Sequence, residues 1–195
     1  MVTEQRVEVD WHHELIDQLD LHYNVWFRPR LEGLTDEEYL WEPVEGCWSV
    51  RPGPDGVWRM DAYDAMDAAP DPPPFTTIAW RLCHIGAHCL GMRVTNHFSG
   101  GTYDLDAVSW PATAEDAIAF VGDAYRRWKA GVEALGDDGL HRAAGAAEGP
   151  YAEHPMAALV LHINREIIHH GAEVACLRDL YRASGPTPVR GARRT

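Results

Sequence analysis

The sequence predicts an all-α protein, a four-helix bundle with a long crossover loop between its first two long helices. Three observations carry that prediction. Four stretches repeat apolar residues every three or four positions, the period that lines side chains along one helix face. No stretch alternates apolar and polar residues convincingly, as a half-buried strand does. One segment, 43–74, is rich in Pro, Gly and Asp and denies both periods.

With 195 residues, 46% of them hydrophobic, the chain can bury a full core as one domain spanning 1–195. The first helix is expected from about Trp11 to about Leu31, after Asp10 as N-cap, with Leu15, Ile16, Leu19, Tyr23 and Trp26 as its apolar set. Pro29 ends it or bends its last turn, because proline has no N–H to give the carbonyl four residues back. Thr35 followed by Glu38 reads as a capping box opening a short helix, TDEEYLW. The segment 43–74 then forms a long loop, either a lid or site wall or a surface loop pinned by Trp48, Trp58, Met60 and Tyr63. Its stretch from Asp64 to Pro74 is expected to be mobile.

The second long helix opens near Thr76 and Thr77 and runs to Phe98. Trp80, His84, Ala87, Gly91, Val94 and Phe98 share one row, and small Ala87 and Gly91 would let another helix come close around His84. Thr113, with Asp116 in the reciprocal position, caps the third, whose row Ile118, Val121, Tyr125, Trp128, Val132 and Leu135 has no polar member. That helix is expected to be scaffold, stopped by Gly136. Pro155 starts the fourth, which reads PMAALVLHINREIIHHGAEVACLRDLY. The end of the chain, 186–195, reads as a flexible tail.

The formal net charge of -13 and a pI near 5.2 disfavour a sequence-independent grip on nucleic-acid phosphates, so no nucleic-acid partner is expected. No stretch approaches membrane-spanning length, and the N-terminus lacks an apolar run after a basic start. Cys47, Cys83, Cys89 and Cys176 show no C-x-x-C spacing and read as reduced core thiols of a cytoplasmic protein.

The chemistry lies in two interruptions of otherwise apolar rows. On the fourth helix Met156, Leu159, Ile163, Glu166, His170, Val174, Leu177 and Tyr181 share one face, and Glu166 and His170 sit one turn apart where the seam calls for hydrophobic residues. A carboxylate beside an imidazole in a core is costly without a partner, and a divalent metal satisfies both. His84 interrupts the second helix in the same way. Helix bundles build metal sites from inward side chains on facing helices. Two imidazoles and a carboxylate suit zinc first, with nickel or iron also compatible. His84, Glu166 and His170 are therefore the candidate metal ligands. His88 and His162, each one turn from a candidate, are further ligands or supporting groups. His169 is expected to point away, and His12, His13, His22, His97, His141 and His154 to lie on the surface or in loops.

The run TTIAWRLCHIGAH, the distant LHINREIIHHGAE and the upstream CWSVRPG together resemble the DinB-like superfamily across about residues 11–183. The resemblance implies a four-helix protein with a three-ligand metal site, related to mycothiol- and bacillithiol-dependent S-transferases and to maleylpyruvate isomerase. The commonest family pattern places H-x-x-x-H on the last helix. Here Glu166 and His170 resemble the His, Glu, His variant of the mycothiol-dependent isomerase branch. The resemblance also implies a metal-dependent thiol S-transferase or isomerase in which mycothiol or another low-molecular-weight thiol is activated toward a small-molecule electrophile. No protein nucleophile is needed. Arg81, Arg93 and Arg165 are candidates to meet the thiol's carboxylates. The competing expectations are a non-catalytic metal-binding stress-response protein, and a structural homodimer without metal that buries the loop tryptophans.

Overall fold

The computed structural model describes residues 7–62 and 70–185. The expected tail at 186–195 lies outside the described residues, as does the part of the expected loop at 63–69, which includes Tyr63 and much of the stretch expected to be mobile. The described residues are mostly helical, with one small sheet among them.

Helix α1 covers 11–30. Asp10 caps it by accepting from the His13 N–H at 3.0 Å. Its middle turn, His22–Phe27, is a π turn, one residue wider than the α repeat. The extra residue moves the buried face. Leu15, Leu19, Tyr23 and Phe27 enter the core, while Trp26, expected there, is 66% exposed. The last turn, Arg28–Arg30, tolerates Pro29 near its start and ends at Leu31.

The short helix α2, Asp36–Tyr39, is capped by Thr35, whose Oγ1 accepts from Glu38 N–H at 3.2 Å. The expected reciprocal arm is diverted. Instead of turning back to Thr35, the Glu38 carboxylate points inward to Arg178.

The absence of strand in 43–74 needs correcting. Val50–Pro52 (β1) and Trp58–Met60 (β2) pair antiparallel, with Val50 opposite Met60 and Pro52 opposite Trp58. Three residues are too few to show an alternation, and the pairing depends on a turn in which Gly56 adopts φ +77 and Gly53 N–H donates to Val57 O at 2.8 Å. The hairpin is tied to the helix that follows. Thr77 Oγ1 donates to Ser49 Oγ at 2.9 Å, Trp48 N–H to Phe75 O at 2.8 Å, and Trp80 Nε1 to Asp61 O at 2.8 Å.

Helix α3 covers 78–98, capped by Thr77 and widened into a second π turn at His84–Gly91. Helix α4, Ala114–His141, starts at Thr113 as expected, but Gly136 interrupts it without ending it. With φ +61 this glycine redirects the chain, and a last stretch continues to His141. Helix α5, Met156–Ser184, follows Pro155. Helix α1 packs on α4 and α5, α3 packs on α4 and α5, and α4 also touches α5. Close approach of another helix to α3 occurs at Gly86. A Cβ on Gly86 would meet the Phe120 ring of α4 at 2.4 Å, whereas Gly91 faces the Tyr103 hydroxyl.

The core holds one fully buried ion pair that the row pattern does not reveal. Arg178, 1% exposed, donates to Glu38 through Nε at 2.8 Å and Nη2 at 3.0 Å, and its Nη1 serves the carbonyls of Arg30 and Glu32. One guanidinium thus satisfies a carboxylate and two carbonyls at the junction of α1, α2 and α5. Removing one partner strands a buried charge, which costs about 3–5 kcal/mol. Arg178→Met is expected to lower unfolding stability by about that amount in urea titration. The double change Glu38→Leu with Arg178→Met should recover much of the loss, because neither charge is then left alone.

Candidate metal centre

His84, Glu166 and His170 come together from α3 and α5. One ligand atom from each, and one from Cys89, all lie within 4.8 Å of one another. The sequence-based set omitted Cys89. At about 100° per residue, a side chain five positions after His84 points about 140° away on an α-helix. The π turn that begins at His84 hydrogen-bonds i to i+5 and brings Cys89 back under it. Only the local widening of the helix makes the fourth donor a neighbour.

His84 is held by its rings on either side. Trp80 stacks on it at 5.0 Å with an interplanar angle of 8°, and His88 stacks on the other face at 5.1 Å. Burial is the main force on its protonation, joined by the charges of His170, His88 and two arginines, and pushes its pKa down to about 3. His84 is therefore neutral at physiological pH and keeps a lone pair available. His170 meets it edge to face, with ring centroids 4.8 Å apart.

Glu166 lies 3.4 Å from His170 Nε2 through Oε2, and its other oxygen is 3.6 Å from His162 Nδ1 and 3.5 Å from Arg165 Nη2. The opposite edge of His170 faces Glu173, whose Oε2 is 2.7 Å from Nδ1. A carboxylate can only accept, so the proton of a neutral imidazole belongs on Nδ1. The bare Nε2 and the Glu166 oxygen then confront each other as two lone-pair donors. They call for a cation between them, a second proton on the ring or a metal ion. A divalent metal fits this donor set, since a neutral imidazole from α3, a second from α5 and an anionic oxygen are an accepted combination for zinc. The buried Cys89 thiol, pushed up to about 12 by burial and by Glu166, is held protonated in the metal-free chain.

Two cavities flank the cluster. One, of 720 Å³, has His84 and His88 in its wall together with Trp48, Trp58, Trp80 and Trp110. Part of that wall is the hairpin, so residues from the 43–74 segment border the candidate site. The other, of 590 Å³, is lined by Arg93, Glu148, Tyr151, His154, His162 and Arg165.

Residues 18–174 match the family model described as the DinB superfamily. The chain belongs to the DinB superfamily. No curated protein and no solved structure matches it. Within this DinB member, His88 packs against His84 and Trp110 rather than joining the four-residue cluster, and His162 approaches Glu166 from outside it. His169 is exposed, yet its Nε2 reaches Glu173 at 3.3 Å. Arg81 sits beside Glu173 at 3.0 Å, Arg93 beside Glu148 at 3.3 Å and Arg165 beside Glu166, so each of the three arginines already faces a carboxylate.

Three expectations fail in detail. His97 is no surface residue. Its side chain is 4% exposed and lies 2.9 Å from Glu148, a residue of the Gly- and Ala-rich connection whose pairing across fifty-one positions leaves no local trace. His22 is likewise half-buried, with Nε2 close to where a Cβ on Gly171 would lie. Of the four cysteines, Cys47, Cys83 and Cys89 are buried and free, while Cys176 is exposed on the outer side of α5 and is not a core thiol. Native protein treated briefly with iodoacetamide is expected to take up one adduct, at Cys176, by peptide mass spectrometry. Labelling at Cys83 or Cys89 should require denaturant.

Proposed function

We propose that this DinB protein is a metal-dependent enzyme that activates a low-molecular-weight thiol toward a small electrophile, with His84, Glu166 and His170 as metal ligands on a four-helix bundle crossed by the segment 43–74. The observation that carries it is the pair of lone-pair donors, His170 Nε2 and Glu166 Oε2, facing each other at 3.4 Å with neutral His84 beside them. A divalent cation in that place lowers the pKa of a bound thiol or water and supplies a nucleophile at neutral pH. Zinc is the first choice, with nickel or iron compatible with the same donors.

The chain's own residues divide the remaining work. The cavity bordered by four indoles and by His84 suits an apolar, flat electrophile, since stacked rings offer a large area with few polar demands. The cavity on the far side of Glu166 carries Arg93, Arg165, His154 and His162, a lining that favours the carboxylates of an acidic low-molecular-weight thiol over neutral mycothiol. Glu148 opposes that preference from the same wall, so binding there displaces or shares its pairing with Arg93. The hairpin supplies part of the wall on the His84 side. No side chain has to act as nucleophile.

The partners in this reading are the thiol and the electrophile, in the cytoplasm. Net charge -13 supports the absence of a nucleic-acid partner, and among the described residues no helix is long and apolar enough to cross a membrane. A second reading, a metal-binding protein without turnover, draws on Cys89. Four protein donors close a tetrahedral shell, the pattern of structural zinc sites, whereas three leave a position for substrate.

Protein purified without a histidine tag is expected to bind one divalent ion per chain, and His84→Ala and His170→Ala to bind at least tenfold more weakly in chelator competition. Cys89→Ser should keep the stoichiometry. Absence of any bound ion in the wild type defeats the metal reading. For turnover, metal-loaded protein is incubated with thiols and a panel of aromatic electrophiles. Wild type should conjugate faster than His84→Ala, and Trp110→Ala should raise KM more than it lowers kcat. Equal conjugation by wild type and His84→Ala leaves the non-catalytic reading standing.

A further inference from the structure

We infer that Glu173 is a positioning residue for the candidate centre, fixing the tautomer and orientation of His170 so that Nε2 is the nitrogen presented to the ion. The inference rests on the metal reading above. Glu173 is three positions after His170 on α5, so the helix itself stacks the carboxylate over the imidazole edge. The Oε2–Nδ1 separation of 2.7 Å is the shortest contact either ring nitrogen makes with a neighbouring charged group. Since the carboxylate cannot donate, that contact places the proton on Nδ1 and leaves Nε2 bare on the Glu166 side.

Glu173 is itself held in place. Arg81 of α3 approaches the same oxygen with Nε at 3.0 Å, and exposed His169 approaches Oε1 at 3.3 Å. Arg81 also comes within 3.3 Å of His170 Nδ1 through Nη1, the contact that would favour the opposite tautomer. Two features decide against that alternative. The carboxylate is 0.6 Å nearer, and an anion beside the ring is matched by the arginine cation behind it. The side chain of His170 is 10% exposed, so water offers little competition for Nδ1. Arg81, Glu173 and His170 thus form a relay that joins α3 to α5 directly behind the candidate ligands. A positively charged arginine, proposed from sequence to meet a thiol, is engaged in this relay instead.

His169, His170 and Glu173 also form a three-residue group with ligand atoms within 4.8 Å of one another, at the exposed edge of the helix. In that competing arrangement Glu173 would touch the ion itself. Removing it would then abolish binding, whereas removing Glu166 would not.

The test compares wild type, Glu173→Ala, Glu173→Gln and Glu166→Ala with zinc and cobalt alone, by chelator competition and stoichiometry. Glu173→Ala is expected to bind one ion per chain about 10–100-fold more weakly, the usual cost of losing a carboxylate behind a ligating histidine. Glu173→Gln keeps an accepting oxygen and should recover part of that loss. In the metal-free protein, nitrogen-15 NMR of the imidazoles should show the proton of His170 on Nδ1 in the wild type and redistributed in Glu173→Ala. A merely structural role for Glu173 would leave that signature unchanged. Equal affinity in wild type and Glu173→Ala, or an unmoved tautomer, overturns the inference while leaving the metal centre intact. Complete loss of the ion in Glu173→Ala with retention in Glu166→Ala overturns it in favour of direct ligation. A wild type that binds no ion removes both the centre and the positioning role.

Discussion

Between α3 and α5 a carboxylate meets two imidazoles, with Arg165 beside its outer oxygen and the His170 ring beside its inner one. Burial makes His84 neutral, while Glu166 is half-buried and has Arg165 and His162 on one oxygen and His170 on the other. The surrounding structure supplies order around that cluster. Trp80 and His88 clamp the His84 ring, Glu173 and Arg81 grip the far side of His170, and His162 and Arg165 approach the outer oxygen of Glu166. Within this frame one ligand atom from each of His84, Cys89, Glu166 and His170 lies within 4.8 Å of the others.

The π turns of α1 and α3 share a physical consequence. Each inserts a residue into the helical repeat and thereby rotates everything downstream relative to what came before. In α1 the rotation exposes Trp26 and buries Phe27; in α3 it swings Cys89 beneath His84. The second turn also leaves backbone carbonyls in need of partners, and Arg93 donates to the His88 carbonyl at 2.6 Å. A widened helix therefore shapes both the donor set and the floor of the larger cavity.

Two ion clusters with different duties share α5. Near its C-terminal end Arg178 is sealed against Glu38 and two carbonyls, with four of its five N–H donors engaged. Two turns earlier, Glu166, His170 and Glu173 face one another, with His170 between the two carboxylates. The contrast is between a charge pair closed on itself across three elements and a cluster of candidate ligand atoms shared by two facing helices.

From the sequence alone, the helical period located the four long helices, and the polar interruptions of two apolar rows singled out His84, Glu166 and His170, because both signals are local. The Thr77 and Thr113 caps were legible for the same reason. The tertiary structure was required for everything set by partners distant in the chain or by a change of period. Glu38 finds Arg178 across 140 positions, His97 finds Glu148 across 51, and a hairpin of two three-residue strands is pinned to the start of α3. Cys89 joins His84 only because hydrogen bonding in α3 shifts to a wider ring, and Glu173 gains its place only because His170 turns Nδ1 toward it. Periodicity records which face a residue occupies; the direction of each donor atom is settled by what packs against it.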